Sequence, residues 1–230
     1  MSQVKTGVIG VGAIGHNHAR IYSELETADL VAIFDTDPAR AAEFAEKYGS
    51  TAVGTIEEFA EAVDAASVAT PTVTHRPIGE QLLSRGVHCL VGKPIAATPE
   101  DAEALVQLAK ENDLDIVLHL FNSPTKEIDS VGTPFLTNRE DIANARIKFE
   151  NGCVANLTAS RISPEKMRKI RVFQHDTYLS LDYQAQDGKM FRKVDGQILP
   201  EPVTVEKDEP LKLELASFVD CVAIGERPKV

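Results

Sequence analysis

The sequence contains no tryptophan and only three cysteines among its 230 residues. Cys89, Cys153 and Cys221 are far apart, odd in number and without metal-site spacing. That pattern excludes a disulfide framework and a cysteine-based metal site, and it predicts reduced, mostly buried thiols in a cytoplasmic protein. No apolar run reaches the roughly 18 residues that would cross a bilayer. The opening Met1–Thr6 leads straight into a strand, without the charged start, apolar centre and small-residue cleavage site of a signal peptide. Positive charge is also scarce. Twenty-four Lys and Arg against 35 Asp and Glu leave a net charge of −11, which argues against nucleic acid, because phosphate contacts need clustered cations. The one local exception, Lys166-Met167-Arg168-Lys169-Ile170-Arg171, reads more readily as a solvated strand or turn than as a phosphate site.

What remains is ordinary for a globular chain: 43% apolar and 26% charged residues. Over the first ~120 residues, strand and helix patterns alternate with short connections, which predicts a parallel sheet covered on both faces. Strands are expected at Lys5–Ile9, Leu30–Phe34, Thr51–Val53, Ala65–Ala69, His88–Val91 and Ile116–Leu120. Helices are expected at Ala13–Glu24, Pro38–Tyr48 with Gly49 as its cap, Ile56–Ala62, and Pro77–Arg85 stopped by Gly86. Thr98-Pro99-Glu100-Asp101 is a strong start for a further helix to about Asn112.

After Phe121 the texture changes. Asn122-Ser123-Pro124 and Val131-Gly132-Thr133-Pro134 read as breaks, and from Asp141 the period becomes two, with Ala143, Ala145, Ile147 and Phe149 alternating with polar residues. Asn151-Gly152 is a hairpin turn before a return strand at Cys153–Ser160. Further strands fit Lys169–Gln174, Tyr178–Tyr183 and Met190–Val194, with a turn at Asp187-Gly188 and a last helix at Leu211–Ile224. The predicted fold class is therefore α/β: a Rossmann dinucleotide-binding domain over residues 1–121, then a smaller α+β domain over 122–230 with a mostly antiparallel sheet.

Gly10-Val11-Gly12-Ala13-Ile14-Gly15 is G-x-G-x-x-G placed after a strand and opening a helix. The first glycine allows a tight turn, the second lets backbone approach a pyrophosphate, and the third lets helix and strand pack closely. The N–H groups of the helix start then face the phosphates. The motif alone is weak, but Asp35 follows Gly15 by 20 residues at the end of the second strand, where an acid takes the ribose hydroxyls of NAD. A carboxylate there repels a 2′-phosphate, so NAD is favoured. Arg40, one turn into the next helix, could contact that phosphate instead and keeps NADP open.

Several motifs in order resemble the glucose–fructose oxidoreductase/inositol dehydrogenase (Gfo/Idh/MocA) family of sugar and cyclitol dehydrogenases. They are Gly15-His16-Asn17-His18-Ala19, Ala69-Thr70-Pro71 followed by His75, Gly86-Val87-His88, and Gly92-Lys93-Pro94-Ile95-Ala96. The second half, from Asp141-Ile142-Ala143-Asn144-Ala145-Arg146 through Asn151-Gly152, is similar to the family's second domain, in particular to bacterial enzymes that oxidise the 3-hydroxyl of UDP-N-acetylglucosamine-type sugars. The resemblance implies an NAD(P)-dependent oxidoreductase acting on a sugar, nucleotide-sugar or cyclitol hydroxyl. It implies Thr70, Pro71, His75, Lys93 and Pro94 beside the cofactor, Lys93 beside the reacting hydroxyl, and a homodimer or homotetramer formed through the open sheet.

Two departures stand out. The family usually carries Glu where this chain has Gly92. Several dozen residues between about Leu120 and Ser123 are missing, including a helix whose His-Asp pair supplies the general acid/base. His119, at the end of the last parallel strand, and His75 are the candidate replacements, each weighed against a structural histidine; His175-Asp176 looks like a turn. The chain also ends at Val230, where the family continues into another helix. These losses leave a second expectation open: a nucleotide-binding remnant, or an oligomeric scaffold, that no longer turns over.

Overall fold

The structure, a computed structural model, describes residues 3–108 and 123–226. The chain divides into two compact units, residues 1–114 with 209–230, and residues 115–208.

In the first unit, strands β1 (Val4–Ile9), β2 (Ala28–Phe34), β3 (Thr51–Ala52), β4 (Ala65–Val68) and β5 (His88–Val91) form one parallel sheet in the order β3-β2-β1-β4-β5. Helices α1 (Gly15–Glu24), α2 (Pro38–Tyr48), α3 (Ile56–Ala62), α4 (His75–Leu83) and α5 (Pro99–Leu108) connect or follow the strands. β4 is buried along its whole length, as a strand covered on both faces must be. Its apolar neighbours separate into two clusters. Val4, Val8, Ile21, Tyr22, Ala41 and Ala45 pack α1 and α2 on one face, and Ile9, Phe59, Val63, Ile78 and Leu82 pack α3 and α4 on the other.

Local chemistry sets the helix ends. Asp37 caps α2 by accepting the N–H groups of Ala39 and Arg40, and Gly49 closes it in the left-handed region at φ 70°. Thr98 accepts the Asp101 N–H at 3.2 Å, the cap expected for α5. α1 begins two residues later than expected, because Gly10–Ile14 is occupied by the turn. α4 begins earlier, at His75, after one 3₁₀ turn at Thr72–Thr74. The expected strand Ile116–Leu120 and His119 lie outside the described residues.

The second unit holds two antiparallel sheets. β6 (Thr125–Thr133), β7 (Ile142–Phe149) and β8 (Val154–Ser160) form one, in the order β6-β7-β8. β9 (Lys169–Phe173), β10 (Thr177–Asp182), β11 (Asp187–Val194) and β12 (Gln197–Pro202) form the other, in sequence order. The β7–β8 hairpin turns at Asn151-Gly152, with Gly152 at φ 87°. The turn expected at Asp187-Gly188 falls earlier, because the Asp182 carboxylate accepts the N–H groups of Gln184 and Ala185 and ends β10 there. Asp187 is already paired with Asp182 as the first residue of β11.

The final helix, α6 (Pro210–Ile224), is also a correction. Expected in the second domain, it lies in the first unit, where Leu215, Phe218 and Val219 join the cluster of Val4, Val8 and Ile21. Burial of those side chains, about 1.5–3 kcal/mol for each large one, outweighs the helix's position in the sequence.

Candidate cofactor and active site

Because all five strands of the first sheet are parallel, the segments leaving β1, β2, β4 and β5 emerge along one edge. The order reverses at β1, between β2 and β4, and the crevice at such a point is where open α/β sheets bind ligands.

The β1 segment is shaped by its glycines. Gly10 sits at φ 86°, and a Cβ there would lie 2.9 Å from the Ala69 carbonyl oxygen. A Cβ on Gly15 would fall 1.7 Å from the Gly10 carbonyl oxygen, so residue 15 must be glycine for α1 to start where it does. Gly12, by contrast, has nothing within 4 Å of its missing Cβ, and Ala13 and Ile14 are exposed. The loop is thus crowded on its sheet side and open on its outer side. Ile14 at the N-cap makes no side-chain cap bond. The His16 and Asn17 N–H groups donate to the Gly12 and Ile14 carbonyls, so the N–H groups of Ala13, Ile14 and Gly15 are the ones left for an outside acceptor.

Asp35 closes the other flank. It is 8% exposed; Oδ2 accepts the Val11 N–H at 2.9 Å and Oδ1 accepts the Asp37 N–H at 2.9 Å. Arg40, the candidate for a 2′-phosphate, lies 3.6 Å from Asp35 and 3.4 Å from Asp37. This open glycine loop, the free N–H groups of Ala13, Ile14 and Gly15 and an acid beside them have the shape and chemistry that a dinucleotide's pyrophosphate and ribose would require.

The β4 and β5 segments complete the edge. Thr70 accepts the Thr74 hydroxyl at 2.8 Å, and the Pro71 carbonyl accepts the same hydroxyl at 2.7 Å. Gly92 follows β5 directly, its N–H donating to the Val68 carbonyl at 3.0 Å. Lys93 and Pro94, joined by a cis peptide bond, are exposed beyond it. His75 is a correction. Considered as an acid/base, it is 2% exposed, with Nε2 at 2.8 Å from the Thr70 carbonyl and Nδ1 at 3.1 Å from that of Pro94. Neither ring nitrogen is free for a substrate.

One polar network escaped the sequence reading. His18 Nδ1 lies 3.0 Å from Ser67 Oγ, which is 2.8 Å from the Tyr22 hydroxyl, joining α1 to the buried strand β4. Burial pushes His18 down to about 4 and raises Tyr22. The four-residue spacing of His18 and Tyr22 on one helix face, opposite a serine in an otherwise apolar strand, was the available signal.

In the second unit, His175 and Asp176 are exposed in the β9–β10 turn, where Asp176 accepts the Thr177 hydroxyl at 3.0 Å. The three cysteines are free, and each is half-buried. Among the described residues no cluster of His, Cys, Asp and Glu could hold a metal, and no helix is long and apolar enough to cross a membrane.

A family model described as "Oxidoreductase family, NAD-binding Rossmann fold" (GFO_IDH_MocA) matches residues 4–119. The chain belongs to the Gfo/Idh/MocA oxidoreductase family. The UDP-N-acetylglucosamine 3-dehydrogenase of Acidithiobacillus ferrooxidans is 29% identical over 288 residues, covering 99% of this chain and 91% of that protein. Since this chain has 230 residues, several dozen positions of that alignment have no counterpart here. The inositol 2-dehydrogenase of Corynebacterium glutamicum is 36% identical over 114 residues, 48% of this chain and 34% of its own length. The solved structure of the A. ferrooxidans enzyme superposes with a TM-score of 0.84 at 27% identity, covering 100% of this chain and 92% of that one. The homologues of this NAD-binding Gfo/Idh/MocA protein are sugar, nucleotide-sugar and inositol dehydrogenases.

Proposed function

We propose that the chain is an NAD-dependent dehydrogenase of a nucleotide-sugar hydroxyl, with the 3-hydroxyl of a UDP-N-acetylhexosamine as the substrate class. The observation that carries this reading is the single sheet edge that gathers Gly10, Gly12, Gly15, Asp35, Thr70 and Lys93. The likeness to the A. ferrooxidans enzyme, which runs through both halves of this chain, supports the substrate.

When bound, the nicotinamide supplies the carbon that takes or returns the hydride. The protein's own parts position and move protons. The loop at Gly12 receives the pyrophosphate, aided by the N–H groups of Ala13, Ile14 and Gly15 at the start of α1. Asp35 accepts a ribose hydroxyl and disfavours a 2′-phosphate, and its pairing with Arg40 draws that cation away from the phosphate position. Thr70 and Pro71 form the wall between the β1 and β5 segments. Lys93, exposed at the β5 turn, accepts the proton from the substrate hydroxyl during oxidation and returns it during reduction.

The experiment is steady-state turnover of purified protein with NAD and UDP-N-acetylglucosamine, followed at the NADH absorbance band, beside Lys93→Ala. Turnover that vanishes in the variant supports the reading; none with any UDP-sugar, hexose or inositol overturns it. A second reading, a dinucleotide-binding protein without turnover, is favoured by the positions without counterpart in the alignment and by Gly92. It expects saturable NADH binding and no activity.

The three-stranded sheet supports self-association. Its register places Ile128, Ser130, Ala145, Ile147, Ala155 and Leu157 on one face and the Glu127–Lys148 pair on the other. Ile128 and Leu157 are exposed, and an apolar sheet face of this kind fits a homodimer or homotetramer contact. Three unpaired thiols fit a reducing, cytoplasmic setting.

A further inference from the structure

α4 opens with His75, a polar ring among the largest fully buried side chains of the fold. Its Nε2 is 2.8 Å from the Thr70 carbonyl oxygen, and its Nδ1 is 3.1 Å and 3.3 Å from those of Pro94 and Ile95. Carbonyls cannot donate, so the ring supplies every proton in this cluster; a neutral imidazole supplies one and a protonated ring both. Gly92 lies beside the ring: a Cβ there would stand in ordinary van der Waals contact, 3.5 Å from Cε1. One buried side chain thus bridges the segment after β4 and the turn after β5, one peptide unit from Lys93.

We propose that His75 is a positioning residue for the reaction: it clamps the Lys93–Ile95 turn to the Thr70 wall and so fixes where the Lys93 amine stands. The inference rests on the reading of Lys93 given above. It separates two properties that share one sheet edge. The ring is hydrogen-bonded to Thr70, Pro94 and Ile95 and to neither the glycine loop nor Asp35, so dinucleotide binding is expected to survive its loss. The Lys93 turn loses its anchor, and displacement of a reacting group by about 1 Å costs on the order of 10²-fold in rate.

The test compares wild type, His75→Phe and His75→Gln, each full-length and saturated with NADH. His75→Phe keeps a ring without donors, and His75→Gln restores an N–H donor. Two readouts are taken: amide hydrogen exchange of peptides covering residues 92–98, and kcat and KM with NAD and UDP-N-acetylglucosamine. The proposal expects retained NADH binding and faster exchange at 92–98 in His75→Phe. It also expects kcat to fall by about 10²-fold with KM little changed, with partial recovery of both in His75→Gln. Equal exchange in wild type and His75→Phe overturns the clamp, and faster exchange with an unchanged kcat overturns the positioning role. Wild type that shows the exchange difference without any turnover keeps the clamp and removes the assignment of Lys93. Should His75→Phe fail to fold, the comparison of His75→Gln with wild type decides by the same criteria.

Discussion

The Asp35 carboxylate reaches back 24 residues to accept the Val11 N–H at 2.9 Å, so the acid proposed for the ribose also holds the loop proposed for the pyrophosphate. Its other oxygen takes the Asp37 N–H. One residue therefore shapes the loop and, in the proposed function, also reads the ligand. Asp35→Asn keeps the outline but turns one acceptor into a donor facing an N–H group. Hydrogen bonds to charged groups contribute about 1.5–3 kcal/mol, so the Kd for NADH should rise by at least about tenfold. The Kd for NADPH should rise less, because the repelling charge is gone. Parallel titrations by nicotinamide fluorescence, undisturbed by tryptophan, check both changes. Unchanged affinity for both dinucleotides would remove Asp35 from the site.

Gly12 and Gly15 predict opposite phenotypes for the same substitution. Gly15→Ala places a methyl 1.7 Å from the Gly10 carbonyl oxygen, which the backbone must move to relieve. It should lower the unfolding midpoint and abolish binding together. Gly12→Ala meets nothing within 4 Å, so it should fold with an unchanged midpoint while binding NADH at least about tenfold more weakly, its methyl standing where the pyrophosphate approaches. Thermal unfolding and NADH titration on both variants separate the outcomes. Full NADH binding by Gly12→Ala would place the pyrophosphate elsewhere.

These glycines were legible because their reasons are local: a strand, a turn and a helix start within six residues. The sheet edge was legible because α/β alternation fixes which strand ends share it. What escaped depends on partners distant in sequence. β12 carries Pro200 and Pro202, which argue against a central strand, yet it is an edge strand, where proline is tolerated. Asp195-Gly196, at φ 51° and 79°, was the hairpin signal ahead of it. β6 is exposed throughout and polar at Lys126, Glu127, Asp129 and Ser130, so no periodicity marks it. His75 looked chemical because the family's His-Asp helix is missing here; only its carbonyl partners at Thr70, Pro94 and Ile95 reveal a structural use.

His18 gives the first unit a pH dependence. Burial depresses its folded value to about 4, against about 6.5 in the unfolded chain. The native state holds the ring neutral, so the unfolded chain takes up the proton first and stability declines as pH falls from about 6.5 to about 4. The loss is at most about 3 kcal/mol, less whatever solvent reaches the ring. Urea midpoints of wild type should fall between pH 7 and pH 5, and His18→Gln should flatten that slope. An equal slope in the variant would refute the assignment.

Asp141 acts in the second unit with its own window. Burial by itself would raise the carboxyl, but the N–H groups of Phe135, Thr137 and Leu136 and the Thr137 hydroxyl outweigh it and hold the group well below the usual carboxylate range. Arg161 adds a 2.7 Å ion pair. Because the folded value is the lower one, this stability is present above the unfolded value of about 3.9 and is lost as pH falls beneath it. Asp141→Asn should destabilise the second unit at pH 6, and the gap from wild type should close as pH drops below about 4. A gap independent of pH would mean that shape alone, and not charge, holds the 134–140 loop.

The face of β6–β8 yields the last expectation. Ala145 pairs with both Ser130 and Leu157, so the centre of that face carries one hydroxyl and no charge, and Leu157 stands at its outer strand. If this surface joins two copies, a charge placed on it must be desolvated on association, a cost of several kcal/mol. Leu157→Asp should therefore shift the protein towards monomer at micromolar concentration while leaving its affinity for NADH intact, because the glycine loop belongs to the other unit. Light scattering and nicotinamide titration on the same sample read the two effects separately. A wild-type monomer at that concentration would end the idea of self-association through this face. A variant that stays oligomeric would move the contact to another surface.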